Sequence, residues 1–225
     1  MDAKFVIHVA AQKAPHMPRL TRAQIQQHRS AYEQWQSPEE LLSRSEGLMS
    51  SMSGEDFFNQ PGIDFIREGL AAATFGKARE ADAVRLVAKT DHWPDFEIRL
   101  NGMVEAWEIT EADVPGRRRG DEYRDDPLMA GDKALGLDHA ENYIARAERA
   151  PDAIRARCLA KAAKRYGGRA ALLIYLNISD FGTRHKEIEE CFPWATAPAK
   201  DAFTEVWILW KGRIYRVWRD GRVAT

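Results

Sequence analysis

Apolar residues recur at every second position in two short runs, Phe96, Ile98, Leu100 and then Met103 onward, on either side of Asn101-Gly102. A period of two belongs to a strand with one buried face, and Asn-Gly is the strongest short turn signal, so the pattern predicts a β-hairpin. On its second arm Val104, Ala106, Glu108 and Thr110 fall on one face, and Glu105, Trp107, Ile109 and Glu111 on the other. Upstream the pattern turns helical. Thr21 caps a helix to about Gln36, and the capping box Ser37-Pro38-Glu39-Glu40 starts a second from Pro38 to about Ser50. After the breaker Asn59-Gln60-Pro61-Gly62, a helix from Ile63 to about Arg79 carries Phe65, Ile66, Leu70, Ala73 and Phe75 on a core-facing stripe. Asp82 to Ala88 reads as a strand, with Val84 and Leu86 between charged residues, and Lys4 to Ala11 as a short one.

Beyond the hairpin, Asp113 to Gly136 is dense in charge, Gly and Pro, and no period survives there, which predicts a long loop. A helix is expected over Leu137 to Glu148, and Pro151 opens another that stops at Gly167-Gly168. On that second helix Ile154, Cys158, Ala162 and Tyr166 form one stripe. Lys161 flanks it, and Lys164 lies further toward the polar face. Ala170 to Asn177 is almost purely apolar, as a central strand covered on both sides would be. Strand, helix and buried strand in succession imply a crossover unit. Arg184 to Glu190 reads as a short helix and Pro193 to Pro198 as a turn-rich connector. Phe203 to Trp210 and Arg213 to Trp218 flank Lys211-Gly212 in a closing hairpin. The expected fold is α/β: a mixed central β-sheet flanked by helices over residues 61–225, a helical N-terminal extension over 1–60, and a C-terminal β-hairpin.

Composition adds limits. With 225 residues, 44% of them apolar, the chain can bury a real core. A net charge of -1, from 33 basic and 34 acidic residues, means that a polyanion would have to meet a local basic patch. Arg117, Arg118 and Arg119 in the long loop are candidates for nucleic-acid contact, with plain solvation as the alternative. The aromatic C-terminal hairpin, with Trp207, Trp210, Tyr215 and Trp218 between arginines, reads first as ordinary strand packing and only second as a base-stacking or partner-binding surface. Cys158 and Cys191 have no zinc-like spacing and are expected as free thiols. His8, His16 and His28 share no ligand spacing and read as surface residues. No apolar run reaches the ~20 residues of a membrane span, so a soluble cytoplasmic protein without a membrane partner is expected.

Candidate chemistry lies in the first hairpin. Asp95 sits at the mouth of its first strand and Glu108 near the end of the second, where two carboxylates can converge on a hard divalent cation. Glu68 lies mid-helix beside the apolar stripe, either as a third acid for that pair or as an ordinary solvated helix glutamate.

The order helix, strand, Pro-Asp hairpin, strand with Glu-x-Thr, helix with an interior lysine, buried strand resembles the PD-(D/E)XK nuclease superfamily, also called restriction-endonuclease-like, over roughly Ile63 to Asn177. Pro94-Asp95 matches that family's Pro-Asp, and Glu108 the acidic residue of its second motif. The family places a lysine two residues later, where this chain has Thr110. Some members carry the lysine on the following helix, which makes Lys161 the candidate and Lys164 the reserve, with Thr110 close by. Glu68 corresponds to the acid often found on the first helix. The resemblance implies a restriction-endonuclease-like core that cuts nucleic acid, DNA first, with Mg2+ or Mn2+ as cofactor and a homodimer as a candidate assembly. Asp95, Glu108, Glu68 and the Ile109 carbonyl would be its metal ligands, and Asp95, Glu108 and Lys161 its catalytic residues. If Thr110 marks a lost catalytic lysine, the alternative is a nuclease-like fold that binds nucleic acid or a protein without cutting.

Overall fold

The computed structural model describes residues 19–88, 93–117, 119–120, 143–164, 166, 170–178 and 184–223. Helix α1 (Arg22–Tyr32) starts on a capping box in which Thr21 and Gln24 satisfy each other's backbone N–H. It stops short of the expected Gln36. That residue instead exchanges backbone hydrogen bonds with Val84, N–H to carbonyl at 3.2 Å and back at 2.9 Å, which a helical residue could not do. Helix α2 (Pro38–Ser51) begins at the expected Ser37/Glu40 capping box. A short helix α3 (Gly54–Asn59), capped by Ser53, precedes the breaker and was not foreseen. Helix α4 (Asp64–Ala78) buries Phe65, Ile66, Ala73 and Phe75 as its stripe predicts. Gly69 lets α1 approach it, since a Cβ there would collide with the Tyr32 ring.

Strands β1 (Ala83–Leu86), β2 (Phe96–Leu100) and β3 (Met103–Ala112) follow, then helices α5 (Tyr143–Ala147) and α6 (Ala150–Ala162) and strand β4 (Ala171–Leu176). Helix α7 (His185–Thr196) leads through a 3-10 turn at Ala197–Ala199 into β5 (Glu205–Trp210), β6 (Arg213–Arg219) and the short β7 (Arg222–Val223). Seven strands make one mixed sheet in the order β1-β2-β3-β4-β5-β6-β7. Its centre, β3-β4-β5, is parallel, and both flanks are antiparallel. Helix α6 joins β3 to β4, the crossover that the apolar pattern implied.

Alternation along the strands divides the core between the sheet's two faces. Leu173 and Leu209 join Trp107 and Ile109 on the face covered by α4 and the earlier helices. Leu172, Ile174, Val206 and Ile208 face Ile154 and Cys158 of α6 and Phe192 of α7. From residue 19 on, the segment expected as an extension is mostly helical, and its Leu20, Tyr32, Leu41 and Leu48 lie in the same cluster as Val84 and Ile98 of the sheet. Two further expectations need correction. Helix α7 runs through Pro193, where a connector was expected, because its buried face continues from Ile188, Cys191 and Phe192 to Ala195 and Thr196, outweighing the missing N–H of one proline. Helix α6 ends at Ala162, short of Gly167-Gly168. The expected stripe therefore holds at Ile154 and Cys158 but does not reach Tyr166 as helix. The expected strand at Lys4 to Ala11, Arg118 and most of the long loop lie outside the described residues.

Candidate active site

The two arms of the first hairpin differ in length. Register pairs Leu100 with Met103 and Phe96 with Trp107, and β3 runs on through residues 108–112, where among the described residues no strand pairs with it on the β2 side. Asp95 stands at the step. Its N–H donates to the Trp107 carbonyl at 3.0 Å, and its Oδ2 accepts the Ile109 N–H at 2.8 Å, so the side chain replaces the backbone acceptor that β2 no longer supplies. N–H and C=O of one strand residue leave on the same edge, so the Ile109 carbonyl is aimed to the Asp95 side too.

Glu108 points to the opposite face from Trp107 and Ile109, toward α6. There Lys161, on the last turn of the helix, reaches both acids: its Nζ donates to Glu108 Oε2 at 2.5 Å and to Asp95 Oδ2 at 3.2 Å. One ammonium bridges the two carboxylates. The Tyr166 hydroxyl adds a second donor to Glu108 Oε2 at 2.8 Å, and its ring packs on Phe203 with centroids 5.3 Å apart. Exposure is graded across the group. The Glu108 side chain is 2% exposed, that of Lys161 13% and that of Asp95 35%, so the cluster opens to solvent at Asp95.

Burial pushes the Glu108 carboxyl above the usual glutamate range. The Lys161 hydrogen bond pulls it back, Asp95 raises it by repulsion, and the Tyr166 hydrogen bond lowers it. The Tyr166 hydroxyl is also raised, by burial first and then by its bond to Glu108. Glu108 Oε1 is buried and, among the described residues, has no hydrogen-bond partner, an acceptor left open in a protein interior that normally fills such positions.

A depression of about 330 Å3 opens beside this group, lined by Glu68 from α4, Thr110 and the Ile109 position from β3, and Lys161 from α6. Glu68 thus shares the cavity with Lys161. Thr110 is half-buried in the same wall, and Lys164, past the end of α6, is exposed. Arg117 and Arg119 are held by Asp113, at 3.4 and 2.8 Å, and Arg119 also donates to the Asn177 carbonyl at 2.6 Å; both line a neighbouring depression. The sequence reading missed Tyr166 as a partner of Glu108. It sits four residues past the end of α6, where helical spacing no longer tells which way a side chain points.

Among the described residues, no group of three or more His, Cys, Asp or Glu side chains is placed to hold a metal ion. The donors that do meet suit Mg2+, which takes one or two carboxylates and fills the rest of its shell with water and phosphate oxygens. An open acceptor on Glu108 and a backbone carbonyl on the same edge as Asp95 fit that requirement. No family model matches the chain, and neither does any curated protein or solved structure.

Proposed function

We propose that this chain hydrolyses phosphodiester bonds of nucleic acid, DNA first, on a restriction-endonuclease-like core with Mg2+ or Mn2+ as cofactor. The observation that carries the reading is the single ammonium of Lys161 within hydrogen-bond distance of both Asp95 and Glu108. Three residues distant in sequence, foreseen from a motif order that lacks the usual lysine, meet at one point. The order α4, three antiparallel strands, α6 and the parallel strand β4 is also the one that the resemblance implies.

Asp95, Glu108 and the Ile109 carbonyl would hold the cation, with Glu68 as a further acid from the cavity wall. A cation there supplies an acidified water and neutralises charge on the phosphate. Lys161 contributes a fixed positive charge at the same point, orienting the attacking water and balancing the charge that builds on the phosphate oxygens. Water adds to phosphorus, the bond to the leaving sugar oxygen breaks, and that oxygen takes up a proton, leaving a phosphomonoester and a hydroxyl. Thr110 offers a hydroxyl to a water but no charge, the function that Lys161 takes over from the neighbouring helix. Tyr166 and the surrounding apolar wall keep Glu108 in one position.

The purified chain, incubated with supercoiled plasmid and Mg2+, should give nicked and linear products that EDTA suppresses. Failure to cut duplex DNA, single-stranded DNA and RNA with either Mg2+ or Mn2+ overturns the proposal and leaves a module that binds without cutting.

A further inference from the structure

Two depressions open beside the C-terminal half of β3. The first, about 330 Å3, contains Lys161. The second, about 360 Å3, contains Arg119. Arg67, Glu111 and Arg157 line both, so the two meet along these side chains and form one trough that leads away from the Asp95–Glu108 pair. Most of its cations are already held. Arg67 lies 3.2 Å from Asp64, 3.5 Å from Glu111 and 3.2 Å from the Phe57 carbonyl, and Arg119 is fixed by Asp113 and Asn177.

Arg157 differs. It is exposed, and among the described residues no hydrogen bond or ion pair engages it. It stands four residues before Lys161 on α6, hence one turn away on the same flank of the buried stripe of Ile154 and Cys158. That separation is about 6 Å along the helix axis, of the order that separates successive phosphates along a nucleic-acid strand. A guanidinium also presents its donors in a planar fork that matches two phosphate oxygens.

We infer that Arg157 grips a backbone phosphate next to the one that Lys161 faces, and that the trough is the path by which the strand leaves the active site. This rests on the hydrolytic reading above. Arg157 is a positioning residue for the substrate: it touches a phosphate that does not react, so its removal weakens binding and leaves the chemical step alone.

The test is a titration of the protein against a fluorescein-labelled oligonucleotide duplex, followed by anisotropy over a series of salt concentrations with EDTA present, alongside cleavage kinetics in Mg2+. Arg157→Ala should bind about tenfold more weakly, the worth of one charge-assisted contact. Its plot of log K against log salt should be shallower by about 0.9, the loss of one neutralised phosphate. Arg157→Lys, which keeps the charge, should keep the slope. In Mg2+ the Ala variant should show a raised KM and a kcat within about threefold of wild type. Its melting temperature should match wild type, because the side chain is exposed. Equal affinity and slope in wild type and Arg157→Ala, with cleavage intact, overturn the inference and spare the hydrolytic reading. A wild-type chain that neither binds nor cuts removes both.

Discussion

The β2–β3 and β5–β6 hairpins turn through the same pair of left-handed residues, Asn101-Gly102 with φ of 51° and 78° and Lys211-Gly212 with φ of 52° and 74°. Both turns suit the twist of the strands they join. The indoles of one and the buried carboxylate of the other are treated differently. In the second hairpin each indole N–H finds an acceptor: Trp207 on Glu205 at 2.7 Å, Trp210 on the Ile178 carbonyl at 2.7 Å and Trp218 on the Thr196 hydroxyl at 2.6 Å. Trp210 is wholly buried, and Trp207 packs edge-on to Phe75 and Trp107. The first hairpin buries a carboxylate, raises its pKa and leaves Glu108 Oε1 without a partner among the described residues. One hairpin is built to hold the sheet together. The other keeps a charged group in an environment that does not favour it, the usual mark of a site maintained for chemistry.

Substitutions should therefore separate activity from stability according to the hairpin they touch. The largest effects belong to the first. Lys161→Ala should lower plasmid cleavage by about 10²–10³-fold, the scale of one preorganised electrostatic group, and Asp95→Ala and Glu108→Ala by at least as much. Cleavage within a fewfold of wild type in any of the three would mean that the site lies elsewhere. In the second hairpin, Trp210→Ala should lower the unfolding free energy by about 3–5 kcal/mol in a denaturant titration, as for other buried aromatic truncations. The fraction still folded should cut normally, and a selective loss of cleavage without loss of stability would contradict the division.

Smaller effects concern Glu108 itself. Tyr166→Phe removes a donor that favours the ionised carboxylate, so the acid limb of the cleavage–pH profile should move to higher pH. The rate on that limb should drop about tenfold, the worth of one hydrogen bond to a charged group. An unmoved limb would deny Tyr166 its role. For the fold, the raised pKa carries a definite sign. A carboxyl raised in the native state contributes stability that is whole below the ordinary glutamate pKa and is lost as pH rises through the native value. Urea midpoints of wild type should therefore fall between acid and neutral pH by more than those of Glu108→Gln. Parallel slopes would show that burial does not disfavour the charge.

Much of the fold was legible because its signals are local. Asn101-Gly102 and Lys211-Gly212 name their hairpins, Ser37 to Glu40 names a helix start, and the unbroken apolar run at 170–176 names a strand covered on both faces. Asp95 and Glu108 could be singled out because each falls at a definite point of a predicted hairpin, and Lys161 through the family resemblance; the structure brings the three together. Non-local contacts decided what was missed. Gln36 leaves its helix for a strand that begins at residue 83, and α7 crosses Pro193 because the sheet rewards its apolar face. Tyr166 reaches Glu108 from beyond a helix end, and Arg119 donates to the Asn177 carbonyl, 58 residues further along the chain. Register between β2 and β3 was readable at the turn. That β3 continues past its pairing with β2, where the Asp95 side chain takes the Ile109 N–H, was not.

Calorimetric titration of Mn2+ into the nucleic-acid-free protein addresses the pairing of Asp95 with Glu108 most directly. One saturable site in wild type, abolished in both Asp95→Ala and Glu108→Ala while their melting curves stay cooperative, is the expected result. No heat of binding, or binding that survives unchanged in both variants, would contradict a cation held between these two carboxylates.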